Sequence, residues 1–281
     1  MGLDETQIIT VLHVSDIHDN PQAFDVIDQL EEQFAIDLVI DTGDIVSWGG
    51  TQFEHDQLTA IGQLDVPYVY IMGGNHDGSS TAAAIAAQDN AIVLDNEVAE
   101  VEGLTIAGIG DPPRFAADDD SDTTGWQEGK DAVAASAYQL GDTITAWDEE
   151  NPENTVDLAL IHDPTQPEGL EGRVPLVLSG HMHTSDVELD RDGSGGTDWL
   201  TVGSTGGGAL ASGGGVAPSS RARIPLDLTA RMLYFDRTTG RLVAYDDIVM
   251  GGLGLVSISI NRTSMPDEES VLEVPEGAET P

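Results

Sequence analysis

Short apolar runs alternate with amphipathic stretches through the first 180 residues, and each change of period predicts an element. Ile8–Val14 reads as a strand, and Pro21–Phe34 as a helix with Phe24, Ile27, Leu30 and Phe34 on one face. Asp37–Ile40 predicts a strand, Gln52–Leu64 a helix, Val66–Met72 a strand and Thr81–Gln88 a short Ala-rich helix. Ile92–Leu94 and Leu104–Ile109 predict strands joined through an acidic turn at Glu97–Gly103. A long helical segment, Asp131–Trp147, precedes two more strands, Val156–Ile161 and Val174–Ser179. Strands alternating with helices in this way predict an α/β sheet built from βαβ units.

From Ser185 onward the pattern changes to strands separated by turn signals. Asp190–Gly196 divides Val187–Leu189 from Trp199–Val202 as a hairpin loop, and Phe235–Ile248 turns at Thr238–Gly240. The first of these loops begins Asp-x-Asp-Gly, but no glutamate follows at calcium-loop distance, so it reads as a turn. These late strands lack intervening helices, which suits a second, more antiparallel sheet packed against the first. Ala117–Gly125 and the Gly-rich Gly206–Gly215 read as mobile loops, and the acidic tail Thr263–Pro281 as disordered. No Gly-Lys-Ser/Thr follows the Gly-rich loop, so it is not a phosphate-cradling loop of the P-loop kind. The expected organisation is one domain over residues 1–262 and a tail over 263–281.

Composition changes the picture mainly through charge. Fifty-one acidic residues face ten basic ones, for a net charge of −41, and Lys130 is the only lysine. Such a charge strains a compact fold by self-repulsion in ordinary salt. The screening length falls to roughly 3 Å at molar salt, which removes most of that strain. Adaptation to a high-salt milieu is the simplest account, and an acidic surface for a basic partner is the competing one. Either way no basic patch is available to neutralise phosphates, so stable nucleic-acid binding is not expected. The absence of cysteine excludes disulfides and thiolate metal sites. No apolar run nears the roughly 18 residues of a membrane-spanning helix, and the N-terminus has no basic leader that would mark a signal peptide.

The chemistry concentrates where apolar runs end. Asp16 and His18 follow the first strand, Asp44 the second, and Asn75, His76 and Asp77 the third. His162 closes a later run, and VPLVLSGHMH ends in His181 and His183. In an open α/β sheet the carboxyl ends of the strands are where a site is built. Carboxylate, amide oxygen and imidazole without sulfur suit Mn, Fe, Zn or Co, with manganese favoured. Two such ions roughly 3.5–4 Å apart need a shared carboxylate, and Asp44, alone on its loop, is the natural bridge. His13, inside the first strand, reads as a core residue, and His55, near a helix start, as solvated. Trp48 is either core packing or a wall against which substrate stacks.

The series Asp16-x-His18, Gly43-Asp44, Gly74-Asn75-His76-Asp77, His162 and Gly180-His181-x-His183 resembles the calcineurin-like metallophosphoesterase family. That resemblance implies a four-layer α/β/β/α sandwich of two mixed sheets. It implies one metal on Asp16, His18 and His183, a second on Asn75, His162 and His181, and Asp44 between them. It further implies that His76 faces the substrate and that Asp77 orients its ring. The implied reaction is hydrolysis of a phosphomonoester or phosphodiester, small molecule or nucleotide, by a bridging hydroxide, with His76 stabilising charge or protonating the leaving group. Protein phosphatases of the family carry an Asp-Arg pair after the second motif, and purple acid phosphatases a tyrosine three residues after the bridging aspartate. This chain has Ile45, Val46, Ser47 and Trp48 there, which fits neither. Arg114 either reaches the phosphate from the next loop or pairs with Asp118 or Asp119. The alternative function is a non-catalytic metal-binding scaffold of the same fold. Some relatives with a similar opening are carried by membrane helices, so the compartment stays open: cytoplasmic by default, extracytoplasmic and membrane-anchored as the alternative.

Overall fold

Seven residues of strand-forming sequence, Ile8–Val14, form β1, buried along almost its whole length. Residues 7–49, 51–112, 126–165, 167–190, 196–207, 209–211, 215–217, 227–251 and 257–265 are described by the computed structural model of this chain. Asn20 caps the next helix, α1 (Pro21–Phe34), its side chain accepting from Gln22 N, and Pro21 sits at the first turn where its missing N–H costs nothing. β2 (Leu38–Asp41) follows, then α2 (Gln52–Gln57), which opens on a Thr51–Glu54 capping box and continues as a 3₁₀ turn over Leu58–Gln63. β3 (Tyr68–Ile71), α3 (Ser79–Ala86) and β4 (Ala91–Leu94) complete the first βαβ series.

β5 (Glu97–Val101) and β6 (Leu104–Gly108) form a hairpin turning at Glu102 and Gly103. The segment read from sequence as an acidic turn is thus itself mostly a strand. Val98 packs toward α4 while Ala99 and Val101 pack between the sheets, so the strand buries both faces and shows no clean alternation in the sequence. α4 (Trp126–Glu150), β7 (Leu158–Leu160), β8 (Leu176–Ser179), β9 (Asp186–Glu188) and β10 (Asp198–Thr201) follow. β11 (Ala209–Ala211) and β12 (Gly215–Ala217) pair antiparallel inside the Gly-rich segment, and β13 (Leu228–Asp236), β14 (Leu242–Gly251) and β15 (Ser257–Ser264) end the chain's described part. Thr263 and Ser264, assigned from sequence to the tail, belong to β15. The Ala117–Gly125 loop, Arg114, Asp118, Asp119 and the tail beyond residue 265 lie outside the described residues.

The two large sheets have the orders β15-β14-β13-β1-β2-β3-β4 and β5-β6-β7-β8-β10-β9. Both are mixed: β1 to β4 pair parallel while β13 to β15 add antiparallel, and β6, β7, β8 and β10 run parallel between antiparallel edges. This corrects one expectation: the late strands β13–β15 extend the first sheet rather than forming the second. The second sheet is built from the middle of the chain. β13 docks on β1 with His13 opposite Arg231.

Three apolar layers hold the stack. Leu12, Val14, Val39, Tyr68 and Met232 on one face of the first sheet meet Val26, Ile27 and Leu30 of α1 and Ile85 of α3. Ile9, Val11, Ile40 and Val69 on its other face meet Ile106, Leu158, Leu178 and Leu200 of the second sheet. The outer face of the second sheet, with Ala159, Ile161 and Val177, is covered by Leu140 and Ile144 of α4. The result is an α/β/β/α sandwich, with β1–β3 and β7–β8 ending at one common edge. Among the described residues no helix is long and apolar enough to cross a membrane.

Candidate metal centre

Every sequence-predicted ligand lies on a loop leaving a strand at that edge. Asp16 and His18 leave β1, Asp44 leaves β2 and Asn75 leaves β3; His162 leaves β7, and His181 and His183 leave β8. The backbone there is unusual. Asp16 (φ 54), His18 (φ 48), Asp44 (φ 56), His181 (φ 66) and His183 (φ 52) all adopt the left-handed region that non-glycine residues rarely enter. Residues held so persist only where surrounding structure over-determines them, and such strain concentrates at functional sites.

Here that structure is a mesh of loop-to-loop hydrogen bonds. Asp16 N donates to Gly43 O (2.9 Å) and His18 N to Asp44 O (3.1 Å), while Thr205 N and Gly206 N donate to Ser15 O (2.8 Å) and Asp16 O (3.1 Å). Ser204 Oγ also donates to Asp16 O at 2.8 Å, and Asn20 Nδ2 to Gly206 O at 2.8 Å. The 203–207 loop, missed by sequence reasoning, therefore grips the first ligand loop. Its only sequence signal was its position after a strand.

The side chains converge as two groups, Asp16 with His18 and His183, and Asp44 with His162 and His181. In the first, His183 Nε2 lies 3.0 Å and His18 Nε2 3.7 Å from Asp16 Oδ1, and the two imidazole nitrogens are 3.2 Å apart. In the second, His162 Nε2 lies 3.2 Å from Asp44 Oδ2 and 3.2 Å from His181 Nδ1. The groups meet at Asp44, whose Oδ2 is also 3.8 Å from His18 Nε2. Each group takes residues from both sheets.

Electrostatics mark the cluster as a place for cations. Burial pushes the Asp16 carboxyl up, but the adjoining His18 and His183 imidazoles more than reverse this and hold it well below the usual carboxylate range. Asp44 is likewise pushed up by burial and brought far down by the His162 charge and hydrogen bond. Burial lowers His162 and His18, yet Asp44 and Asp16 raise both above ordinary histidine, His162 strongly. His181 is lowered by burial and by neighbouring His162. Two buried carboxylates thus stay ionised by drawing protons onto imidazoles, and divalent cations would supply the same compensation. The donor set fits them in a further respect. Asn75 is buried and its Oδ1 has no hydrogen-bond partner among the described residues, as a metal-facing amide oxygen requires.

The neighbouring residues sort differently. His76 N donates to Asp44 Oδ1 (2.9 Å), and the His76 ring stands edge-on to His18 with centroids 5.0 Å apart. Its Nδ1 is held by the Ser47 carbonyl at 2.8 Å. The expectation that Asp77 orients this ring is therefore corrected. The Asp77 carboxylate instead accepts from Gly74 N (3.0 Å), Val46 N (3.1 Å), Ile45 N (3.3 Å) and Tyr70 Oη (2.9 Å), bracing the Asp44 and Asn75 loops. Trp48 is 56% exposed and so is not core packing, whereas His55 is half-buried with Ser80 Oγ 3.4 Å from its Nε2. His13 is fully buried, as expected of a core residue.

Comparison with known proteins agrees with this arrangement. The sequence pattern of the family described as calcineurin-like phosphoesterase matches residues 9–185, which is more than half the chain and contains every ligand above. Sequence comparison with curated proteins finds no match. Among solved structures, the fold is similar to GAP50, the anchor in the inner membrane complex of Plasmodium, at TM-score 0.53 and 11% identity, covering 94% of this chain and 90% of that one. It is similar to the protein TT1561 of Thermus thermophilus at TM-score 0.51 and 11% identity, covering 84% and 97%. A novel archaeal phosphodiesterase aligns at TM-score 0.45 and 14% identity over 86% of this chain and 99% of its own.

Proposed function

Because the chain belongs to the calcineurin-like phosphoesterase family and is a phosphoesterase, we propose that it hydrolyses phosphate esters at a centre of two divalent cations. The observation that carries this reading is the meeting of two ligand groups at one carboxylate, Asp44 Oδ2, 3.2 Å from His162 and 3.8 Å from His18. Asp16, His18 and His183 would hold one cation, and Asn75, His162 and His181 the other, with Asp44 shared. The oxygen and nitrogen donor set favours manganese, iron, zinc or cobalt, manganese first. Bound there, such a pair supplies positive charge for the phosphoryl oxygens and a water acidic enough to ionise near neutrality.

The chain's own residues do the rest. His76 sits beside the first group, and the Ser47 carbonyl takes its Nδ1–H, which makes Nε2 the nitrogen that exchanges a proton with the substrate. A histidine so fixed can stabilise charge developing on phosphorus or protonate the departing alkoxide. The acidic surface adds a condition: the net charge of −41 favours folding and turnover in molar salt.

The test is metal analysis followed by turnover. The purified chain is expected to bind about two divalent ions and to hydrolyse p-nitrophenyl phosphate or bis(p-nitrophenyl) phosphate only when loaded. Absence of metal-dependent hydrolysis across manganese, iron, cobalt and zinc would overturn the reading and leave a metal-binding scaffold. Comparing the two esters, which share one leaving group, assigns monoesterase or diesterase.

A further inference from the structure

Between the two sheets, below the ligand loops, lies a buried polar cluster that the chemistry above leaves unused. His13 faces the space between the sheets, on the same side of β1 as Ile9 and Val11. Its residue is 0% exposed, and its Nε2 lies 3.1 Å from Thr42 Oγ1. Opposite it on β13 stands Arg231, also buried, held by Asp247 at 2.7 Å and by the carbonyls of Thr201 (3.2 Å) and Asp186 (3.3 Å). Burial first, and the Arg231 charge second, bring His13 down to about 3, so its ring is neutral at any working pH.

Thr42 is the pivot. Its carbonyl oxygen accepts from His162 Nδ1 at 2.8 Å, which fixes the ring so that Nε2 points into the space it shares with Asp44 Oδ2, as the ligand atom for a cation there. Its N–H donates to Val14 O at 3.1 Å, and it stands two residues before Asp44 itself. That carbonyl therefore aims His162, a residue of the second group alone. The Thr42 side chain meets His13, the cross-strand neighbour of the buried Arg231.

We propose that His13 is a positioning residue for the second cation: through its contact with Thr42 Oγ1 it steadies the carbonyl that orients His162, which is a ligand of that cation alone. The inference rests on the two-cation reading above. It differs from a general packing role because it acts on one cation and spares the other.

The test is a metal titration of the full chain with manganese, comparing the parent with His13→Leu, His13→Gln and Thr42→Val, alongside melting temperature. His13→Leu and Thr42→Val are expected to weaken one of two binding steps by about 10–100-fold, the range typical of groups that orient metal-bound histidines. The other step should stay unmoved, and His13→Gln, which can still reach Thr42 Oγ1, should recover much of the loss. Equal weakening of both steps, or a lowered melting temperature with both affinities intact, would overturn the proposal and leave His13 a core residue. If His13→Leu fails to fold, Thr42→Val decides alone, since it keeps the carbonyl and the shape while removing Oγ1. A parent that binds fewer than two ions overturns the two-cation reading and this inference together; an intact parent with unaffected variants overturns only the inference.

Discussion

Gly74 offers a sharp test of how tightly the centre is built, because the reason for glycine there is steric alone. A Cβ added at Gly74 would lie 2.3 Å from Asp44 Oδ1, 2.8 Å from Asp44 Cγ and 2.8 Å from the Asp44 backbone nitrogen. No real Cβ tolerates such contacts, and the shared carboxylate would have to retreat by about 1 Å to regain ordinary van der Waals distance. It cannot do so freely, since Asp44 is 1% exposed and its Oδ1 already accepts from His76 N. A displacement of about 1 Å in a reacting constellation costs on the order of 100-fold in rate, or about 2.7 kcal/mol of barrier. Gly74→Ala is thus expected to lower kcat/KM for nitrophenyl phosphates about 100-fold and to weaken metal binding. Gly172→Ala is the control: its Cβ meets nothing within 4 Å, and only the left-handed φ of +70° penalises it. That costs stability of roughly 1–2 kcal/mol but leaves turnover per folded molecule unchanged. Parental turnover and metal content in Gly74→Ala would refute the argument that the two loops leave Asp44 no room.

Three further outcomes are expected. His76→Ala should retain its metal but lose about 10²–10⁴ in kcat, and undiminished turnover would remove His76 from the proton transfer. Chelation should abolish hydrolysis reversibly and lower the melting temperature, since ions at about 100 times their Kd stabilise the folded state by about 2.7 kcal/mol; calorimetry with and without EDTA checks this. Arg262→Gln should destabilise the edge of the first sheet by about 1 kcal/mol at neutral pH, a figure discounted because Arg262 is half exposed. Burial raises Asp246, but hydrogen bonds from Arg262 and Tyr234 bring it below the ordinary carboxylate value. The stability this contributes is present above the unfolded value near 4 and is lost as pH falls through the folded one. Urea unfolding of both proteins should therefore converge below pH 4 or so, and a gap that persists in acid would show that the pair is not its source.

Much of the centre was legible because its ligands are local events. A strand run followed at once by Asp16-x-His18 or His181-x-His183 announces both the element and the chemistry in a few residues. The orienting groups were not legible, because they are backbone atoms. The carbonyls of Thr42 and Ser47, which hold His162 and His76, have no signature in any side-chain pattern. Proximity in sequence then misled: Asp77 stands next to His76 but turns to Gly74, Val46 and Tyr70. The sheet to which a late strand belongs was hidden for a related reason. The turn at Thr238–Gly240 announces a hairpin, but only pairing across more than two hundred residues, Ile8 with Asp236, assigns its first strand to β1.

The placement of β1 between β2 and β13 carries a practical lesson for anyone cutting this chain into pieces. Residues 9–185 contain the whole ligand inventory, yet a fragment with those ends would turn its innermost strand into a raw border. It would also forfeit the buried guanidinium of Arg231, which ties together the layers above and below it. The reactive inventory and the foldable unit do not share boundaries. A truncation designed from motifs alone should yield an insoluble or metal-indifferent product, whereas one that preserves the returning hairpin to Ser264 should not.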